Sequence, residues 1–349
     1  MTTDDVPAPV DLVAPDISPW RESNTGVPYV IELDSGVAGP DAMVNAVTHG
    51  NEICGAIAVD WLLRSGFHPT KGKLTLAFVN TAAFLAFDPA SPGASRFVDE
   101  DMNRLWTHEQ LDTRADSSTE LSRARELRPF YDRVTQLLDI HSMSSNHGPI
   151  MLCHGDHRQR VLAAQIGVPI HVGCGGGFVG EDKCRLIEYA PLQDSSHKCA
   201  VLVECGQHWA AESATVGKEA LLNWLRVLGM VSPEFFSQHA APVASHPQQI
   251  FLEITDGYAA QSDGEFEMVS NLAGLDKLSR KGTLLATDGD HPPLLTPYDD
   301  TCYLVMPPMK GGQIPKGGRT VRMARAVATP TAATTTAREV VAIRGAAKL

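Results

Sequence analysis

The sequence predicts an α/β fold, in which helices cover both faces of a mostly parallel or mixed β-sheet, followed by a small all-β module. Strand and helix patterns alternate from residue 29 to residue 228, which is typical of such a sheet. Several predicted strands are nearly continuous apolar runs, as expected of strands that are covered on both faces. After Pro233 the pattern changes to short alternating strands separated by Gly and Pro, which indicates the β module.

The individual elements follow from these patterns in chain order. Turn signals at 34–36 and 39–40 separate the first two strands, and the next helix has apolar residues at three- and four-residue steps before Gly66. The predicted strands are 29–33, 43–47, 74–79, 136–140, 150–153 and 199–203, then 250–254, 266–269, 284–286 and 302–306 in the β module. One predicted helix begins at residue 52, and three others cover 118–134, 158–166 and 213–228.

Two stretches interrupt this alternation. Residues 80–117 form a long predicted loop with a polar cluster at 96–104, and loops of this length are often functional. Residues 173–177 are rich in Gly and predict a flexible loop. They lack the Gly-x-x-x-x-Gly-Lys pattern of a phosphate site, so we do not interpret them as one.

The same patterns divide the chain into four parts. These are an N-terminal arm at 1–25, an α/β domain at 26–240, a C-terminal β-rich module at 241–325 and a disordered tail at 326–349. The segment from Lys310 to the end carries eight Lys or Arg residues and one acid, Glu339. A basic end of this kind predicts a solvated or disordered segment.

Composition argues against several classes of protein. Of the 349 residues, 43% are hydrophobic and 20% are charged, as in soluble globular proteins. The net charge of −12 argues against general nucleic-acid binding, and no apolar run is long enough for a membrane helix. The acidic N-terminus lacks a signal segment, and the seven cysteines are dispersed without a Cys-x-x-Cys pair. We therefore expect a cytoplasmic protein with reduced thiols. The sequence does not decide between a monomer and a homo-oligomer.

The segment from Val47 to Glu52 joins a predicted strand to a predicted helix. His49 and Glu52 are three residues apart at this turn, so an imidazole and a carboxylate can converge on one point. Both are natural ligands of first-row metal ions, and Gly50 would allow a sharp bend between them. The alternative interpretation is a surface histidine followed by a glutamate that interacts favourably with the helix dipole.

Two further predicted strands lead directly to ionisable residues, His141 and Glu204. Ligands in α/β sheets gather at the carboxyl ends of strands, so His141 can meet His49 there. Two histidines and one carboxylate are the ligand set of many catalytic zinc sites. Glu204 could then take a proton from the zinc-bound water and pass it to a leaving amine. Its alternative interpretation is a carboxylate salt-bridged at a strand end.

The sequence resembles the succinylglutamate desuccinylase/aspartoacylase family, a branch of the zinc carboxypeptidase-like fold. The resemblance spans about residues 29–308, including the β module. Four segments carry it in the same order: Thr48–Glu52, Arg96–Arg104, Leu138–Ser142 and Val203–Gly206.

This resemblance implies roles for particular residues. It implies one zinc ion per chain, bound by His49, Glu52 and His141. It implies that Glu204 is the general acid/base and that Arg96 stabilises the oxyanion. Asn103 and Arg104 would hold the substrate.

The sequence also departs from the family pattern. Met102 replaces the usual Leu, which conserves volume, and residues 205–208 differ from the Val-Gly-Pro-Gln run of aspartoacylases. Asp194 stands where aspartoacylases carry an Arg that grips the side carboxylate of the substrate, which argues against N-acetylaspartate. The residues that could replace this Arg are Arg185, His197 and Lys198.

Other polar residues have less specific interpretations. His147 and His208 adjoin the motifs and either line the pocket or are structural. Cys205 lacks an evident base and is expected to be structural. We expect surface or structural roles for His154, His157 and His171.

The function predicted from the sequence is that of a zinc-dependent amidohydrolase. It would remove the acyl group from an N-acyl amino acid or a related small amide that bears a carboxylate. One alternative is a carboxypeptidase-like hydrolase acting on peptides or peptidoglycan fragments. The other is a non-catalytic binding protein with the same fold.

Overall fold

The computed structural model describes residues 9–145, 147–154, 156–175, 184–193, 197–240, 248–270, 272–308 and 314–330. The strands of the first part are β1 (Val30–Asp34), β2 (Asp41–Ala46), β3 (Lys73–Phe78), β4 (Gln136–Met143), β5 (Ile150–Cys153), β6 (His171–Cys174) and β7 (Cys199–Gln207). The C-terminal strands are β8 (Ile250–Ala259), β9 (Phe266–Met268), β10 (Lys277–Leu278), β11 (Leu284–Asp288), β12 (His291–Leu295), β13 (Cys302–Val305) and β14 (Arg319–Val327). The helices are α1 (Ile53–Arg64), α2 (Thr81–Leu85), α3 (Thr119–Arg133), α4 (His157–Ile166), α5 (Ala211–Val227) and α6 (Pro233–His239).

One mixed sheet of 11 strands runs through the molecule in the order β1-β3-β2-β4-β7-β5-β6-β8-β14-β13-β10. Strands β3, β2, β4 and β7 are parallel neighbours at its centre, whereas β1 pairs antiparallel to β3 and β5 pairs antiparallel to β7. The predicted mixed α/β sheet is therefore confirmed.

Helices cover both faces of this sheet because the central strands are apolar on both sides. On β2, Val44 belongs to one hydrophobic core, together with residues of α1, α4 and α5. Its neighbour Met43 belongs to a second core with Leu127 and Tyr131 of α3. Successive strand residues point to opposite faces, so one strand supplies both cores.

The C-terminal strands do not form a fully separate module. Strand β8 pairs parallel to β6, and β14 lies between β8 and β13, so four of these strands extend the main sheet. A separate all-β sheet also exists, with three strands in the order β12-β11-β9. Phe266 and Leu285 contribute to the small core there.

Two local expectations were wrong. Gly173 lies in β6, where we expected a loop, because its backbone pairs with β5 and β8. Strand β14 occupies residues 319–327, so this part of the basic end lies within the sheet. Residues 331–349 of the expected tail, and position 194, lie outside the described residues. No helix among the described residues is long and apolar enough to span a bilayer.

Candidate active site

The carboxyl ends of β2, β4 and β7 meet at one edge of the sheet. These strands are parallel neighbours, and His141 on β4 lies directly opposite Glu204 on β7. His49 follows β2 by three residues. The predicted convergence of His49 and His141 is present, since their ring centroids are 5.1 Å apart.

The turn after β2 is shaped by a residue that the sequence did not single out. Val47 has a φ of 55°, a left-handed conformation that is unfavourable for a β-branched residue. Gly50 does not have a positive φ, so it is not needed for the bend we expected of it. A Cβ at Gly50 would lie 2.4 Å from the carbonyl carbon of Ala83 and 2.5 Å from the carbonyl oxygen of Ser95. Gly50 is therefore required for the close approach of this turn to the backbone of α2 and of Ser95.

The three predicted metal ligands form one buried cluster. Glu52 lies at the N-terminus of α1, but its side chain makes no capping hydrogen bond. One carboxylate oxygen lies 2.7 Å from Nδ1 of His49, and the other lies 2.9 Å from Nδ1 of His141. The alternative interpretation of a surface histidine and a helix-dipole glutamate does not fit, since His49 is 4% exposed and Glu52 1%.

The Nε2 atom of each histidine contacts an aspartate to which the sequence analysis assigned no role. Nε2 of His49 lies 2.9 Å from Oδ1 of Asp101, and Nε2 of His141 lies 2.9 Å from Oδ2 of Asp139. With Nε2 bound to a carboxylate, Nδ1 of each ring is left to face Glu52. Carboxylate–histidine pairs of this kind orient metal-binding histidines in proteins. The signal was available, since each aspartate lies within a motif that was already singled out.

The cluster satisfies the chemical requirements of a zinc site. Among the described residues, His49, Glu52 and His141 form a group whose ligand atoms all lie within 4.8 Å of one another. Two imidazole nitrogens and a carboxylate, with both rings oriented, match the donor set of catalytic zinc sites. The residues present therefore fit a single zinc ion.

The two glutamates of the site have opposite electrostatic environments. Burial would raise the pKa of Glu52, but His49 and His141 hold it well below its ordinary value. Burial raises the pKa of Glu204 to about 8, and Glu52 adds to this effect while His141 opposes it. Carboxyl groups whose pKa values are pushed apart in this way are suited to different roles.

Glu204 is not held in an ion pair among the described residues, contrary to its alternative interpretation. The side chain is buried, and its Oε2 has no hydrogen-bond partner there. A buried polar oxygen without a partner is costly and calls for a ligand or a water molecule. Glu204 is therefore available to handle a proton at this site.

The loop after α2 brings Arg96 to the ligands. Its Nη2 lies 3.0 Å from Nε2 of His49 and 3.2 Å from Asp101, and its Nη1 lies 3.5 Å from Glu52. The backbone carbonyl of Arg96 accepts a hydrogen bond from Gly50 N over 3.0 Å, which attaches this loop to the turn that carries His49 and Glu52.

Asn103 and Arg104 continue the same loop. The Asn103 side-chain oxygen accepts a hydrogen bond from Leu186 N over 2.8 Å. Arg104 donates to the carbonyl of Asn103 over 2.7 Å and lies 3.9 Å from Asp101. Both residues line the same cavity as the predicted metal ligands.

This cavity has a volume of about 540 Å³, within the range of small-molecule sites. Its wall includes residues from the C-terminal strands and their connections, namely Met306, Pro307, Pro308, Thr320 and Arg322. Arg185 also lines it, whereas Lys198 donates to the carbonyl of Asp132.

The sequence left the roles of His147 and His208 open, and the two side chains lie in different environments. His208 lines the cavity, and its Nδ1 lies 2.8 Å from the hydroxyl of Ser142. Burial lowers the pKa of His208 to about 4. His147 does not line the cavity and packs tightly against Gly274 of the C-terminal region.

Comparison with known proteins places the chain in a family. Residues 38–228 match the model of the succinylglutamate desuccinylase/aspartoacylase catalytic domain, and this segment contains His49, Glu52, His141 and Glu204. The chain belongs to the succinylglutamate desuccinylase/aspartoacylase family. The resemblance noted from the four sequence segments is thereby confirmed.

Similar proteins are found by sequence and by structure. A probable aspartoacylase from Parasynechococcus marenigrum is 30% identical over 246 residues, or 63% of this chain and 79% of that protein. The human N-acyl-aromatic-L-amino acid amidohydrolase (carboxylate-forming) is 31% identical over 33% of this chain and 37% of that protein. The succinylglutamate desuccinylase/aspartoacylase structure from Rhodobacter sphaeroides superposes with a TM-score of 0.59 at 17% identity, covering 86% of this chain and 88% of the other.

Proposed function

We propose that this protein is a zinc-dependent amidohydrolase that removes the acyl group from N-acyl amino acids. One observation carries the proposal: a buried His-Glu-His cluster lies beside a buried glutamate without a hydrogen-bond partner among the described residues. This arrangement supplies both a metal site and a separate proton carrier. The names of the related aspartoacylase and aromatic amino acid amidohydrolase support the same reaction class.

The zinc ion would be held by His49, Glu52 and His141. When bound, it would lower the pKa of a water molecule and polarise the scissile carbonyl. Asp101 and Asp139 keep the two histidine rings oriented towards this site, and the low pKa of Glu52 keeps its carboxylate ionised.

Glu204 would accept the proton of the attacking water and deliver it to the leaving nitrogen. Its buried position beside the histidines suits this role, because proton transfer needs a positioned group whose pKa is near the working pH. Arg96 would stabilise negative charge on the carbonyl oxygen in the transition state, since its guanidinium lies against the ligand cluster.

Asn103 and Arg104 would bind the carboxylate of the amino acid. The Asn103 oxygen is occupied by Leu186 N, which leaves its amide N–H groups for a substrate oxygen. The Arg104 guanidinium can bind a carboxylate through two parallel hydrogen bonds. Its contact with Asp101 is long, at 3.9 Å, so a substrate carboxylate can compete with it.

The cavity favours a small substrate over a peptide. Met306, Thr320 and Arg322 form part of its wall, so the C-terminal strands limit the space beside the metal cluster. A carboxypeptidase-like enzyme would need a groove open to a longer chain.

The test combines metal analysis with a substrate screen. We expect about one zinc per purified chain and hydrolysis of at least one N-acyl amino acid. Glu204→Gln should retain the zinc but reduce kcat by about 10²- to 10⁴-fold, because it removes only the proton carrier. His49→Ala and His141→Ala should lose the zinc, whereas His108→Ala, at an exposed histidine, should keep it. Full zinc occupancy in both ligand variants, or near wild-type turnover in Glu204→Gln, would contradict the proposal.

A further inference from the structure

Glu52 is oriented differently from the two histidines of the proposed zinc site, each of which contacts an aspartate. Its Oε2 accepts a hydrogen bond from the backbone N–H of Ser142 over 3.0 Å. Its other close contacts include both histidines, which would share the metal ion with it. The Ser142 N–H is a donor and not a metal ligand, so Glu52 can keep this hydrogen bond while it binds a metal ion. The position of one backbone N–H therefore bears directly on this carboxylate.

An irregularity of the sheet lies at Ser142. On β4, the three residues 141–143 face the four residues 204–207 of β7, because the register shifts between these strands. The extra residue makes this a β-bulge, and bulges are over-represented next to active sites. Gly206 has a φ of 102°, a conformation that residues with a side chain rarely adopt. The regular pairing is thus broken at the residue whose N–H holds Glu52.

His208 contacts this bulge through both its backbone and its side chain. Its N–H donates to the carbonyl of Met143 over 2.9 Å, and its Nδ1 lies 2.8 Å from the hydroxyl of Ser142. Both His208 and Ser142 are buried, with 2% and 4% of their surface exposed, so bulk water competes little for their hydrogen bond. The contact therefore restricts Ser142 where the strand register does not.

The segment that contains His208 also reaches the turn before Glu52. Trp209 donates from Nε1 to the carbonyl of Asn51 over 3.2 Å. The side-chain oxygen of Gln207 accepts from the backbone N–H groups of Trp209 and Ala210 at 2.8 and 3.0 Å, which fixes the segment itself. Residues 207–209 therefore contact the surroundings of Glu52 from two sides. They overlap the stretch that departs from the aspartoacylase pattern, so that pattern assigns them no role.

We propose that His208 is a positioning residue for the zinc site, which holds the Ser142 hydroxyl and thereby keeps the Ser142 N–H on the carboxylate of Glu52. This inference rests on the proposed function, because it concerns the same metal ion. The role belongs to the hydrogen bond at Nδ1 and needs no contact between His208 and the substrate. Loss of this bond frees the Ser142 side chain and loosens the N–H that orients Glu52.

The experiment measures zinc affinity by competition with a chelator of known affinity. His208→Leu should weaken zinc binding about 10- to 100-fold, the usual cost of losing a group that orients a metal ligand. His208→Asn should recover most of the affinity, because an amide group can take the place of Nδ1. Absorption spectra of the cobalt-substituted proteins should show the same order, since they report the geometry of the ligands around the metal.

Ser142→Ala tests the same contact from its other side. It should weaken zinc binding as His208→Leu does, and the double variant should lose no more than either single variant, because each removes the same hydrogen bond. Additive losses would show that the two residues act separately and would overturn the proposal. If His208→Leu does not fold, Ser142→Ala decides: at a wild-type thermal midpoint, weaker zinc binding supports the proposal and unchanged binding refutes it.

His147→Leu is the matched control, because His147 is also buried but does not line the cavity. Its zinc affinity should equal that of the wild type. Equal losses in His208→Leu and His147→Leu would mean that any change of packing in this region weakens the site. That result, or the absence of recovery in His208→Asn, would overturn the proposal.

The wild-type protein separates this inference from the proposed function. Zinc binding without hydrolysis of any N-acyl amino acid would count against the proposed function alone. If the wild type binds no zinc, the proposed function fails, and hydrogen exchange of the Ser142 amide in the metal-free protein decides the inference. This amide should exchange about 10-fold faster in His208→Leu than in the wild type and in His147→Leu, because local opening becomes easier. Equal exchange rates in the three proteins would refute it.

Discussion

His141 and Asp139 lie two residues apart on one face of β4, with Nε2 of the histidine 2.9 Å from the aspartate carboxylate. The other oxygen of Asp139 accepts a hydrogen bond from the hydroxyl of Thr48 over 3.1 Å. Asp139 therefore connects one of the two proposed metal ligands, His141, to the turn that carries the other, His49. Because the carboxylate is fully buried, few alternative positions are open to the His141 ring.

We expect Asp139→Asn to weaken zinc binding about 10- to 100-fold, because an amide cannot accept from both Thr48 and His141. Competition with a chelator of known affinity measures this effect. Asp112→Asn is the control, since it alters a His–Asp pair at the surface. Unchanged zinc affinity in Asp139→Asn would show that the histidine is oriented by its other contacts.

Substitutions of Arg96 and of Arg104 should change different kinetic constants. Arg96→Ala should mainly lower kcat, because the charge it is proposed to meet exists only in the transition state. Arg104→Ala should mainly raise KM, because the substrate carboxylate is already present in the ground state. Steady-state kinetics on an N-acyl amino acid and on its carboxyl-amidated analogue separate the two effects.

The amidated analogue is the control for Arg104. Hydrolysis of the analogue should be little affected by Arg104→Ala. Arg104→Lys should restore hydrolysis of the free acid only in part, because an ammonium lacks the planar fork. If Arg104→Ala slows both substrates equally, its role is to hold the loop in place.

Glu120 on α3 anchors the loop that carries Arg96 and Asp101. Its buried carboxylate accepts hydrogen bonds from the backbone of residues 98, 99 and 100, at 2.7, 3.0 and 3.3 Å, and from Asn80. We expect Glu120→Gln to reduce the free energy of unfolding by roughly 1–3 kcal/mol and to lower kcat. The NH2 group of the new amide would face the backbone N–H groups of the loop, which are also donors. Urea unfolding and kinetics measure the two effects.

The matched control for Glu120 is Glu126→Gln on the same helix. Glu126 is exposed and forms an ion pair with Arg123 at 3.0 Å, so its loss should change stability by less than about 1 kcal/mol. Equal behaviour of the two variants would mean that the loop is held by other contacts.

Gly50→Ala should disrupt both the fold and the metal site. The added methyl group would lie 2.4–2.5 Å from backbone atoms of α2 and of Ser95, so the turn or these segments must move. Overpacking of this kind costs about 1–3 kcal/mol or more. Gly93→Ala, where nothing lies within 4 Å of the added carbon, should leave the thermal midpoint unchanged. A Gly50→Ala protein with wild-type midpoint and zinc content would show that the loop adapts freely.

Much of the candidate active site was predictable from local sequence. The apolar runs of β2, β4 and β7 identify central strands, and parallel strands end at the same edge of a sheet. His49, His141 and Glu204 could therefore be brought together by reasoning, although the chain separates them widely. Short motifs made the choice of ligands specific.

Three features depend instead on how distant parts of the chain pack. The contact of His49 with Asp101 joins residues 52 positions apart, and a side-chain hydrogen bond of this kind leaves no periodic signal to identify the partner. Gly50 is required because the backbone of α2 and of Ser95 packs against it, and not because of its own backbone angles. Arg322 lies in a basic stretch that reads as solvated, yet pairing of β14 between β8 and β13 brings it into the cavity. Strand partners of this kind are selected by burial and hydrogen bonding across the whole sheet, so neighbouring residues in the sequence do not reveal them.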